Sequence, residues 1–227
     1  MKPFRFASAF WNGIFRARAF KVSQRFKEIY EKNLFGGEES RSGPGSSLVQ
    51  TEHLRLELPR LIEDFGITSF LDAPCGDCNW IATLDWGKIS YTGVDVVSEL
   101  ICANQVRLEK RNMQFIVADL CEASLPRADL IFCRDCWVHL PFPQIRACLE
   151  NFRRSGASYL VATTFPATKL NRDLEPGAIW RTLNLQKPPF CFPAPERLLV
   201  ENCTENHGVH SDKALALWKL QKLEISI

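Results

Sequence analysis

Apolar residues along this chain recur first at helical and then at strand-like intervals. Leu54, Leu58, Leu61, Ile62 and Phe65 share one helical face; the pattern predicts two helical pieces, split near Pro59 and ended by Gly66. From there short apolar runs predict strands over residues 68–73, 90–95, 113–118, 128–133 and 157–164. Helical spacing returns between them: a turn helix near Trp80, a helix over 98–110, and another over 143–153. Pro143 suits the first turn of that last helix, and Ile145, Cys148, Leu149 and Phe152 form its apolar stripe. Strands alternating with helices predict an α/β fold, a doubly wound and mostly parallel sheet. The tail offers two further strands, 196–203 and 214–224, fit for an antiparallel hairpin. Residues 165–195 hold six prolines and no clear period; so long a loop in a compact domain is usually functional.

The chemistry collects at strand ends. The first strand ends in Asp72 and runs into a tight turn containing Gly76; nineteen residues after that glycine the second strand ends in Asp95. A strand, a glycine turn and an acid about 20 residues on are the parts of a nucleotide-binding βαβ unit, in which backbone N–H groups approach the ligand and the acid accepts ribose hydroxyls. Asp119 with Leu120 and Arg134 with Asp135 follow the third and fourth strands. A single strand-terminal Asp can be a turn former or cap; four at this spacing mark one ligand rim.

Through LDAPCGD, YTGVDV, FIVADL and LIFCRDCWVHLP, residues 68–165 resemble the class I S-adenosylmethionine-dependent methyltransferases. GGEESRSGPGSS, LNLQKPPFCFP and DKALALW look like strings of a bacterial branch of that family. The resemblance implies a Rossmann-like seven-stranded sheet whose last hairpin inserts an antiparallel strand, and S-adenosylmethionine as cofactor. It implies that the turn of Asp72, Ala73, Pro74, Cys75, Gly76 and Asp77 holds the methionine part, that Asp95 beside Val96 takes the ribose, and that Asp119 and Leu120 meet the adenine. Ala73 and Pro74 stand where the family's first glycine would be. Trp80 either stacks on the cofactor or packs under the next helix. Arg134 is open to the cofactor carboxylate or to Asp135. Arg41, in the Gly/Ser-rich loop 33–47, suits a carboxylate if that loop folds over the cofactor; otherwise the loop is a linker.

An oxygen acceptor needs its proton removed. His139 and Asp135, four residues apart after the fourth strand, are the candidate catalytic pair. Trp180, Arg181, Asn184 and Phe190 suit either an acceptor lid or a structural wrap. We therefore expect residues 1–47 to form a basic amphipathic helix and loop, and 48–227 a methyltransferase domain with 165–195 as its lid. The expected reaction is transfer to a small-molecule or glycan acceptor, with a macromolecular acceptor or a non-catalytic scaffold as alternatives.

Charge and cysteine content refine this picture. Net charge is +2 across 227 residues, too little for a nucleic-acid partner to be expected. The positive charge is concentrated at the start, where residues 1–27 carry seven Lys or Arg and no acid, while Phe4, Trp11, Phe15, Val22, Phe26 and Ile29 share a helical face. Such a helix can pack on the domain, contact an anionic membrane peripherally through residues 1–30, or act as an organellar targeting segment. Nine cysteines with no secretory signal are read as mostly reduced thiols of a cytoplasmic protein. Cys75/Cys78 and Cys133/Cys136 are C-x-x-C pairs, but 54 intervening residues separate them, far from zinc-ribbon spacing, and no metal is expected.

Overall fold

A computed structural model describes residues 23–108 and 113–224. Phe4, Trp11, Phe15 and Val22 of the basic helix, and the last two residues of the helix expected over 98–110, lie outside them. Seven strands form one sheet: β1 (Ser69–Asp72), β2 (Ser90–Asp95), β3 (Met113–Val117), β4 (Leu130–Cys133), β5 (Tyr159–Thr164), β6 (Arg197–Val200) and β7 (Ala214–Lys219). Their order is β3-β2-β1-β4-β5-β7-β6. The first five pair in parallel; β7 runs antiparallel against β5 and β6. Strand order reverses between β1 and β4, so a cleft opens beyond their carboxyl ends.

Helices cover both faces because strand side chains alternate between them. Leu71, Ile131, Cys133, Leu160 and Ala162 face one apolar layer with α4 (Phe142–Ser155); Phe70, Leu130, Phe132 and Val161 face the other with α2 (Glu52–Asp64) and α3 (Ser98–Leu108). Residues 23–32 form α1. α4 ends at Gly156, whose φ of 76° is the left-handed cap glycine adopts without strain.

Two expectations change here. α2 is one 13-residue helix through Pro59, not two pieces. Proline deletes one backbone bond, but Leu54, Leu58, Leu61 and Ile62 are all buried along one face, and that packing holds the helix together across the gap. The 165–195 segment is mostly a wrap. Leu183, Leu185, Phe190 and Phe192 are buried in the α4 layer. Asn171 and Asn184 knit the strap to itself: the Asn184 N–H donates to Asn171 Oδ1 at 2.8 Å, and its Nδ2 to the Pro166 carbonyl at 2.9 Å. No described helix is long and apolar enough to cross a membrane.

Candidate active site

The switch point between β1 and β4 opens a cavity of about 1170 Å³, its mouth included. Asp72, Pro74–Trp80, Asp95, Val96, Asp119, Leu120, Arg134, Asp135 and His139 all line it. Ala73 is fully buried beneath, with its N–H on the Phe132 carbonyl at 2.9 Å.

Asp95 closes the β1 turn. Its carboxylate accepts the Gly76 N–H at 3.0 Å and the Val97 N–H at 2.9 Å. Burial pushes its pKa up to about 6, against the pull of those donors. Asp72 is buried and accepts a 2.6 Å bond from the Tyr91 hydroxyl. Burial raises it to about 7, with Tyr91 and Arg134 opposing and Asp95 adding. Neither carboxylate has a salt bridge to a described residue. Two buried acids without an ion pair among the described residues form a rim that favours a cationic ligand bearing hydroxyl donors.

Gly76 is favoured by its φ of +52°, which L side chains rarely adopt, and it sits close under Ser42. A Cβ there would stand 2.1 Å from Ser42 Oγ. That contact exists because the 37–47 loop lies on the turn. Asp77 accepts hydrogen bonds from Ser40 Oγ at 2.9 Å, the Arg41 N–H at 2.7 Å and Ser42 Oγ at 3.2 Å. The loop is thus no linker, and Arg41 stands at the cavity wall. The Asp77 carboxylate, in the turn expected to hold the methionine part, clamps this loop while Asp77 still lines the cavity.

Arg134 is a second correction. Its guanidinium forks onto Glu201, with Nη2 at 2.7 Å and Nε at 3.2 Å, and Nη2 also donates to the Gly45 carbonyl at 2.9 Å. It touches Asp135 at 3.3 Å, as one expectation had it, but little of it is left for a cofactor carboxylate. Its Cζ lies 5.6 Å over Trp80, whose ring also packs at 6.1 Å from Phe132, so Trp80 both packs on the sheet and lines the cavity.

Asp135 does not suit the role of base. Lys213 Nζ sits 2.6 Å from its Oδ2 and Thr163 Oγ1 donates to it. Burial alone would raise this carboxyl, but Lys213 and Arg134 hold it well below the usual carboxylate range. So stabilised an anion is a poor proton acceptor. His139 fits better. Its Nδ1 bonds the Ile179 carbonyl, and a carbonyl can only accept, so the neutral ring carries its proton on Nδ1 and its lone pair on Nε2. Burial lowers its pKa, with Arg181 and Arg25 adding and Asp135 opposing, which keeps the ring neutral near pH 7.

At the far end the Asp119 carboxylate accepts the Cys121 N–H at 2.8 Å. Cys121 and Cys148 bring their sulfurs to 3.2 Å there, a pairing absent from the C-x-x-C spacing. Cys75 and Cys78 instead bond locally, Cys78 Sγ meeting the Cys75 carbonyl at 3.6 Å. Sequence reasoning missed Tyr91, Glu201 and Lys213, and the wall formed by Phe26, Tyr30 and Phe35. The string holding Lys213 had stood out only as a likeness.

The strand order, the antiparallel last hairpin and the acid-rimmed switch point define a class I methyltransferase architecture. Residues 70–157 match the family model described as a methyltransferase domain. Among solved structures, the PH0226 protein from Pyrococcus horikoshii OT3 is 17% identical with TM-score 0.54, over 78% of this chain and 93% of that one. Magnesium protoporphyrin IX methyltransferase (ChlM) from Synechocystis PCC 6803, solved with bound SAH, is 14% identical with TM-score 0.51, over 66% and 73%. N-methyltransferase NodS from Bradyrhizobium japonicum WM9, in complex with S-adenosyl-l-homocysteine, is 16% identical with TM-score 0.50, over 60% and 73%. At such identities the likeness is one of fold. Comparison with curated proteins gave no match.

Proposed function

We propose that this protein transfers the methyl group of S-adenosylmethionine to an oxygen atom of a small-molecule or glycan acceptor. The observation that carries the reading is the pair of buried carboxylates without a salt bridge, Asp72 and Asp95, at the switch point of a sheet whose residues 70–157 match a methyltransferase domain. The residues present fit this cofactor. Asp95 can accept both ribose hydroxyls, the Cys75–Asp77 backbone can face the methionine part, Arg41 can meet its carboxylate, and Asp119 with Leu120 can border the adenine. The bound cofactor supplies an already electrophilic sulfonium methyl. The protein's share is to exclude water, to hold the acceptor oxygen in line, and to take its proton at His139 Nε2. Positioning of this kind is worth on the order of 7–11 kcal/mol in favourable cases.

Calorimetric titration of the full chain with S-adenosylmethionine tests the reading. We expect saturable one-to-one binding, weakened roughly 10- to 100-fold in Asp95→Ala through loss of a charge-assisted hydrogen-bond acceptor. Unaltered affinity in that variant refutes the site.

A further inference from the structure

The part of the cavity beyond the carboxylate rim has a chemistry of its own. Phe26, Ile29 and Tyr30 of α1, with Phe35, His139 and Leu140, enclose it. The Phe35 ring lies 4.9 Å from the His139 ring at 38°, and Phe26 stands edge-on at 6.3 Å. α1 is fixed over the cleft from both sides: Lys27 pairs with Glu99 of α3 at 2.7 Å, and Arg25 donates to the Ala178 carbonyl of the strap. The cations against this wall are already used, and Arg41, elsewhere on the cavity lining, is the group proposed above for the cofactor carboxylate. Arg181 donates to the carbonyls of Trp137, Val138 and Leu140, and the Asp135 charge is matched by Lys213 and Arg134. An anionic acceptor finds no free partner against this wall, and an ammonium gains no net attraction from Asp135. The polar groups this wall offers are the Tyr30 hydroxyl and His139 Nε2; of the two only the imidazole lone pair can serve as a base near neutral pH, and Nε2 makes no hydrogen bond among the described residues.

Resting on the proposed methyl transfer, we infer that the acceptor is a neutral aromatic hydroxyl compound, a phenol, whose ring lies against Phe26 and Phe35 and whose hydroxyl donates to His139 Nε2. Acidity separates this class from sugars. An unperturbed phenol ionises near pH 10, whereas an aliphatic hydroxyl resembles water, near 15.7. A neutral imidazole flanked by Asp135, Arg181 and Arg25 reaches the first far more readily than the second. In the transfer the oxygen–carbon bond forms as the carbon–sulfur bond breaks. Sulfur keeps the electron pair as a thioether, and the phenolic proton ends on Nε2.

2-Naphthol is the probe. Its fluorescence reports binding to the full chain without turnover, and its methyl ether reports turnover with S-adenosylmethionine. We expect saturable binding, and in Phe35→Leu a loss on the order of tenfold in naphthol affinity from the missing ring contact, with cofactor affinity retained as the check on folding. His139→Gln should lower kcat about 10²–10⁴-fold at pH 7. That defect should shrink as pH nears the naphthol's own ionisation, where no base is needed; a merely structural role would give the same defect at every pH. Three results would overturn the inference: no naphthol binding while the cofactor still binds, a pH-independent His139→Gln defect, or faster methylation of methyl glucoside or 2-naphthylmethylamine. Absence of cofactor binding would instead sink the methyl-transfer reading itself.

Discussion

Asp72→Asn should stabilise this protein at neutral pH and disable it. Asp72 is 4% exposed, and its carboxyl is pushed from 3.8 to about 7, first by burial. The native state therefore binds this proton more tightly than the unfolded chain does. Stability then falls as pH rises, beginning near the unfolded value and ending once pH passes about 7. A gap of about 3 units at 1.36 kcal/mol each makes ionised Asp72 cost about 4 kcal/mol. Asparagine has no proton to lose, and its amide oxygen still accepts the Tyr91 hydroxyl. The advantage of Asp72→Asn over the parent should therefore widen by about 3–4 kcal/mol between pH 4 and pH 8, or roughly 10 °C in Tm at this chain length. Urea unfolding of both proteins across that range, without ligand, measures the gap. An advantage that stays flat or narrows with rising pH would show that burial of Asp72 carries no such cost. Calorimetry on the same variant should show weakened cofactor binding at pH 8, because the anion facing the cavity is gone.

Three further outcomes follow from the same geometry. Affinity of the wild type for S-adenosylmethionine should rise from pH 5 to 8 and level off, as Asp95 (about 6) and Asp72 (about 7) ionise; a flat titration profile contradicts their role. Glu201→Gln leaves buried Arg134 and Lys213 with Asp135 alone, and should cost about 3–5 kcal/mol in urea unfolding; a change below about 1 kcal/mol would mean the pair is dispensable. Gly76→Ala drives a Cβ onto Ser42 Oγ at positive φ, and should cost about 1–3 kcal/mol and speed limited proteolysis within residues 37–47; an unchanged cleavage rate would detach the loop from the turn.

The strands, their order of appearance and the acids at their ends were legible from local pattern. Strand period is written over four to six residues, and a carboxylate at a strand end needs no distant partner to be noticed. The sheet's closing hairpin was equally readable. It was suggested by two apolar runs joined by a polar connection at the end of the chain. The course of α2 through Pro59 was decided by burial of four side chains against the sheet, which propensity cannot see. The roles of the charged groups were decided the same way. Arg134 is turned from the cofactor by Glu201, 67 residues on, and Asp135 is held ionised by Lys213, 78 residues on. His139 receives its tautomer from a carbonyl 40 residues away. The sequence alone set which elements form and where reactive groups stand on them. Which groups stay free to react depended on long-range packing, because a buried charge takes its protonation state and its orientation from whatever the fold brings beside it.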